Sequence, residues 1–269
     1  MNKIQLLYFL SVTLFWSCGG EISREELAKN RLMEIEKMAD AGNYNLAKLK
    51  LDTLIQSFGD QTEYVLSAKN MLKQLNVIEQ ERNLAYLDSM LKAQEALLAP
   101  MMNNFTVSDE YGSDKILIHK RQKPENSFNR TYIRAFLNQA GKFYISSRYH
   151  GNKWIYHQQI KVYNKEEFVL SEVVEEDGFN NRRFDDQDLK WEVVNYKDGK
   201  DNGIVDYIAT HWKELLKVQF IGKGNAYIVM EQFDKEAVRD GYEISFVLKE
   251  IQRIKEEQRK VQKTLENMK

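Results

Sequence analysis

Cysteine occurs once in these 269 residues, as Cys18, so no disulfide can brace the fold and stability must come from packing. Proline occurs twice, at positions 100 and 124, and there is no Ser/Gly-rich tract, which excludes a long flexible spacer. An excess of charge of either sign is missing as well. Thirty-nine basic residues stand against forty acidic ones, a formal net charge of -1, so no basic field exists to hold nucleic acid. No apolar run reaches the ~20 residues that a membrane-spanning helix requires. Gly-x-Ser-x-Gly elbows, phosphate loops and dinucleotide fingerprints are all absent, and no cofactor is expected. The four histidines, His119, His150, His157 and His211, match no zinc spacing, and no metal ligand or catalytic residue is nominated.

What is present is a globular composition, 43% hydrophobic and 29% charged, with room for two modest domains. The chain starts with one positive charge, Lys3, and an apolar run over 4–16, the layout of an export signal. A small residue, Ser17, then precedes Cys18, Gly19 and Gly20. This stretch resembles the lipobox of bacterial lipoproteins. The resemblance implies that residues 1–17 are removed and that Cys18 carries the lipid and becomes the mature N-terminus. An aspartate after the cysteine retains enteric lipoproteins at the inner membrane; Gly19 stands there instead, which implies outer-membrane attachment, on either face. The bland alternative is an ordinary secretory signal.

Residues 18–100 read as a helical arm. Ser23 and Glu26 have capping-box spacing ahead of a helix over 25–41, and Gly42-Asn43 breaks it. Tyr44, Ala47, Leu51, Leu54, Ile55 and Phe58 line a second helix that ends at Gly59-Asp60. The pair resembles one tetratricopeptide hairpin, but a solenoid needs about three copies, so the hairpin is expected to pack on the helix that follows. That third helix is expected over 61–99 and to stop at Pro100. Its apolar stripe is interrupted at 79–83, which predicts a kink or a change of partner.

Residues 233–269 form the clearest pattern in the chain. Ile244, Val247, Ile251, Ile254, Gln258, Val261 and Leu265 recur at alternating three- and four-residue steps, a heptad seam. Such a helix must bury its stripe on another. The helix before Pro100, antiparallel, is the preferred partner, because both adjoin the middle region at one end; the same helix of a second molecule is the alternative.

Between the helices, residues 101–232 turn to period two with tight turns, predicting antiparallel strands. Hairpins are expected at 132–149 and 217–230, further strands at 116–119, 159–163, 166–170 and 189–196, and a short helix at 204–211. The fold class is therefore α+β, a β-sheet or sandwich inserted between helical ends. The acidic runs at 175–177, 185–188 and 198–203 read as charged turns ahead of calcium loops, since Lys200 occupies a ligand position.

Aromatic density is the remaining functional signal. Trp154, Tyr156 and His157, between Gly151-Asn152-Lys153 and Gln158, stand where a loop would present a ligand contact. The layout resembles envelope lipoproteins of Bacteroidetes-type bacteria and implies a lipid-anchored, non-catalytic binding or scaffolding module with an envelope protein or glycan partner. Two rivals make distinct structural demands. Carbohydrate binding requires an exposed aromatic strip with neighbouring carboxamides or carboxylates, and a hydrolase requires a deep pocket where histidine and a carboxylate converge.

Overall fold

The computed structural model describes residues 23–108, 115–186 and 188–268. The expected signal peptide and Cys18 lie outside the described residues, as does Gln187 of the second acidic run. The chain forms two compact units, one built from the chain up to Arg82 with the last few residues, the other from Asn83 to Glu266. The division falls inside a helix, because the second half of that helix packs with the rest of the second unit.

In the first unit, α1 (Arg24–Asp40) begins where the Ser23 hydroxyl accepts the Glu26 N–H at 3.1 Å. It ends at Gly42, whose φ of +81° is the left-handed cap that only glycine adopts cheaply. α2 (Tyr44–Ser57) returns along α1, and Ala28, Leu32, Ile35, Ala47, Leu51 and Leu54 close a small core. The first half of α3 (Thr62–Met101) completes it with Ala68 and Leu75. The single helical hairpin thus buries its face on the following helix, as a lone repeat must.

α3 runs unbroken through 79–83, where its stripe changes partner. Pro100, expected to halt it, sits in its last turn, and a short 3-10 turn, Met102–Asn104, follows. In the second unit the later half of α3 meets α6 (Gln232–Met268), with Leu87 against Ile254 and Val261, flanked by Leu84, Leu91 and Leu265. The order of contacts is antiparallel. Gln258 interrupts the apolar seam and donates to Asp88 at 2.6 Å, and Lys255 pairs with Glu95 at 3.7 Å. The stripe that a second copy would need is therefore occupied by the same chain.

The rest of the second unit is β1 (Phe105–Ser108), β2 (Ile116–His119), a one-turn α4 (Pro124–Ser127), β3 (Tyr132–Asn138), β4 (Phe143–Gly151), β5 (Gln159–Tyr163), β6 (Phe168–Leu170), β7 (Asn181–Asp186), β8 (Leu189–Tyr196), α5 (Ile204–Thr210), β9 (Lys217–Ile221) and β10 (Asn225–Val229). All strand pairs are antiparallel. Sheet A has the order β1-β2-β3-β4-β8-β7, and sheet B the order β10-β9-β5-β6. Two strands were not expected. β7 carries Asp185, assigned to a charged turn by composition, and Lys190 across the hairpin neutralises it at 2.9 Å.

The core includes Ile133, Ile145 and Val194 of sheet A and Ile160, Val162, Val218 and Phe220 of sheet B, closed by Ile204 and Ile208 of α5 and by Ala237 and Val238 of α6. The start of α6 lies so close to β4 that a Cβ on Gly241 would come within 2.7 Å of the Phe143 ring. The long C-terminal helix therefore serves two purposes: its first turns complete the β core and its remainder zips onto α3.

Candidate binding face

The loop between β4 and β5 carries all three residues nominated from sequence, and they separate by side-chain direction. His157 is fully buried, Trp154 is half-buried, and Tyr156 stays 37% exposed. The rings of Trp154 and Tyr156 lie 6.2 Å apart, so these two stay together while His157 turns inward.

Glu192 of β8 explains the arrangement. Its carboxylate accepts the backbone N–H groups of Ile155 at 2.7 Å, Tyr156 at 2.8 Å and His157 at 2.7 Å, and the His157 Nδ1–H at 2.8 Å. The other ring nitrogen, Nε2, is then the acceptor for the Ser147 hydroxyl at 2.8 Å, and the Tyr196 hydroxyl lies 3.3 Å from the same oxygen. Burial pushes His157 below its ordinary pKa, so the imidazole is neutral. Burial works against Glu192 as well, but the bonds from the His157 ring and from the backbone outweigh it and hold the carboxyl below its usual range.

A serine, a histidine and a glutamate in line have the connectivity of an acyl-transfer relay. Their setting differs from one. Ser147, His157 and Glu192 have no solvent exposure, and Ser147 lies within β4, packed under Tyr196, where no substrate can reach its oxygen. Histidine and carboxylate converge as a hydrolase would need, but inside the core, and their work is to clamp the loop.

The clamp holds strain. Tyr156 has φ +54°, a left-handed conformation that costs a bulky residue about 1–3 kcal/mol and persists where surrounding bonds enforce it. The turn between β9 and β10 supplies further restraints. Gly224 N–H donates to the Ile155 carbonyl at 2.9 Å, and a side chain at Gly222 would collide with the Tyr156 carbonyl oxygen. The ring is thus presented rigidly on an open cleft of about 440 Å³, whose walls include Gln158, Gln159, Arg183, Ile221 and Lys223. The cations of Lys223 and Arg183 lie 4.7 and 5.0 Å from the ring centroid, and Arg183 also pairs with Glu176.

The cleft opens onto the outer face of sheet B. Strand register places Asn225, Ile221 and Gln159 in one row, Tyr227, Gln219, Lys161 and Leu170 in the next, and Val229, Lys217, Tyr163 and Phe168 in the third. Tyr227 is 62% exposed and Phe168 59%. Gln219 bridges the row ends, donating to the Tyr227 hydroxyl at 3.1 Å and the Asn225 side-chain oxygen at 3.3 Å. Two exposed aromatics thus stand on the opposite edge strands of this face, with carboxamides on the same face. Sequence reasoning nominated Tyr156 but missed Phe168 and Tyr227, although their signal was available: in Asn225–Val229 the residues of both parities are largely apolar, so one set had to face outward.

The other sequence candidates fall elsewhere. His150 packs at a tilt against Trp191, with centroids 4.4 Å apart, on sheet A. Asp177, in the first acidic run, accepts the backbone N–H groups of Phe179, Asn180 and Asn181, and those bonds hold its carboxyl far below the ordinary range; it closes a turn. A second buried polar cluster, unforeseen, joins Asp234 of α6 to Gln122 at 2.8 Å and Arg130 at 2.5 Å. There burial outweighs both partners and pushes the Asp234 carboxyl up to about 6. Among the described residues no group of three potential ligands is disposed to hold a metal ion, and no helix is long and apolar enough to cross a membrane. Comparison with protein-family models, curated proteins and solved structures finds no match to this chain.

Proposed function

We propose that this chain is a lipid-anchored glycan-binding module of the cell envelope, holding sugar on the outer face of sheet B. The observation that carries the reading is the pairing of exposed Tyr227 and Phe168 with the carboxamides of Gln219, Gln159 and Asn225 on one sheet face. Sugar rings offer C–H faces that pack on aromatics and hydroxyls that need groups able both to donate and to accept, as carboxamides can. The neighbouring cleft, with Tyr156 locked in place, extends this surface without a loop that must first be ordered, which lowers the cost of binding. Support for the anchor comes from the sequence, with Lys3, the apolar run and Ser17-Cys18-Gly19.

The labelled full chain, applied to an array of bacterial and plant glycans, is expected to bind a subset of them, and the double variant Tyr227→Ser, Phe168→Ser is expected to lose that binding. An array on which wild type and double variant are indistinguishable overturns the assignment of the face. The anchor is tested separately. Cys18→Ser is expected to release the protein from the membrane fraction, and continued membrane association would remove the lipid from the proposal.

A further inference from the structure

We infer that the glycan is acidic, its sugar rings carrying carboxylates received by the lysines of sheet B. This inference rests on the glycan-binding reading and concerns charge alone. The chain as a whole is balanced, at -1, yet the strands of sheet B contain Lys161 and Lys217 and no aspartate or glutamate, and the β9–β10 turn adds Lys223. Some cations elsewhere meet a carboxylate, as Lys48 meets Glu79, Lys190 Asp185, Arg130 Asp234 and Lys255 Glu95. Among the described residues Lys161, Lys217 and Lys223 form no ion pair. Two of these ammonium groups rest on rings instead, Lys161 4.0 Å from the Phe168 centroid and Lys223 4.7 Å from that of Tyr156.

The positions match an extended ligand. Lys161 and Lys217 stand one row apart on the neighbouring strands β5 and β9, Lys161 opposite Gln219 and Lys217 opposite Tyr163, and Lys223 stands beyond the first row at the cleft. The four strands span roughly 14 Å. A chain of sugars crossing them meets cation, ring and carboxamide within one short segment. A carboxylate at Lys161 or Lys223 would then be taken by an ammonium group already seated over an aromatic ring, while the sugar's C–H face packs beside it. A protein partner fits the surface less well, because lysine is depleted at the centre of protein interfaces.

Affinity electrophoresis of the full chain tests the inference, in gels holding polygalacturonate, its fully methyl-esterified form, or polyglutamate. Retardation is expected with polygalacturonate, weakening with added salt, and not with the ester, which differs only in the neutralised carboxylates. Lys161→Gln and Lys217→Gln are each expected to weaken retention by about tenfold, with little change in melting temperature since both stand on the outer face of the sheet and neither forms an ion pair there. Equal retardation by the acid and the ester, abolished by Tyr227→Ser, Phe168→Ser, would overturn the acidic assignment and leave the glycan face standing. Absence of retardation by polygalacturonate while other sugars bind on the array has the same meaning. Equal retardation by polyglutamate shows that charge alone is recognised and overturns both readings.

Discussion

On the inner face of sheet B, Ile160, Val162, Val218 and Phe220 have no solvent exposure; one residue further along the same strands and their neighbours, Tyr163, Phe168, Tyr227 and Val229 line a face that stays open. Residue type does not separate the two sets, since both are β-branched, aliphatic or aromatic. What separates them is company. The inner set is covered by sheet A, α5 and α6, and the outer set is interspersed with lysines and carboxamides that keep their own polar groups in water. Under the proposed reading, a sheet face that mixes large rings with cations meets a partner that is itself part apolar and part anionic, and each substitution below asks whether the two faces differ in that sense.

The largest difference is expected from Phe220→Ala. It removes a fully buried ring that also abuts His157, with centroids 5.3 Å apart, and should cost about 3–5 kcal/mol, read as a lower denaturation midpoint at unchanged slope. Should it cost no more than an outer-face substitution, the distinction between the faces would be lost.

Glu192→Gln comes next. The amide keeps the shape but turns one acceptor into a donor facing backbone N–H groups, at a cost of about 2–3 kcal/mol. Its signature is local, because the loop loses the bonds that enforce φ +54° at Tyr156. Amide hydrogen exchange at Ile155, Tyr156 and His157 should accelerate beyond the change in global stability, and glycan affinity should fall although Glu192 touches no ligand.

How far these features were legible depends on the range of the interaction. The α6 seam was readable because the spacing of Ile244, Ile251, Ile254 and Val261 is local; its partner on α3 lies 170 residues away at Asp88 and could only be preferred over a second copy by loop entropy. β8 was predicted over its whole length from alternation alone. β7 was hidden by its charges, which Lys190 and Glu176 answer only once the hairpin and its neighbours are formed. Within the nominated site, adjacency in sequence grouped His157 with Trp154 and Tyr156, whereas the carboxylate that turns the histidine inward stands 35 residues away on another strand. A left-handed tyrosine leaves no mark in sequence at all. Which parity of sheet B would be outermost depended on the position of sheet A, a fact of the whole unit.

A smaller effect distinguishes buried polar groups from exposed ones by acid. Asp234 has a folded pKa raised to about 6 from 3.8, so the native state takes up a proton before the unfolded chain does. The associated stability is fully present below the unfolded value and is lost as pH rises through about 6. Going from pH 6.5 to 5, this one group should add about 1 kcal/mol. His157 and His119, both lowered by burial, act oppositely, since the unfolded chain binds their protons first and stability falls below pH 6.5. Asp234→Asn removes the favourable contribution and leaves the unfavourable ones, so the variant should lose stability more steeply than wild type over that interval. Lys161→Gln and Lys217→Gln should leave the pH profile unchanged, and a parallel shift in either would place them in the folded state's electrostatics and not on a free face.

The smallest stability effect carries the most information about function. Tyr227→Ser and Phe168→Ser each delete a ring from a surface already more than half exposed, where substitutions stay within about 0.5 kcal/mol of wild type. Removing Tyr227 frees the Gln219 amide, which still keeps Asn225 as a partner, so no buried group is stranded. A ring kept on the outside for packing would show itself as a stability loss when removed. A ring kept there for a ligand costs the fold nothing and should, once removed, abolish retention on glycan while the denaturation curve superimposes on that of wild type. That opposite response, set against Phe220→Ala on the same sheet, separates a face that holds the protein together from a face held open for something else.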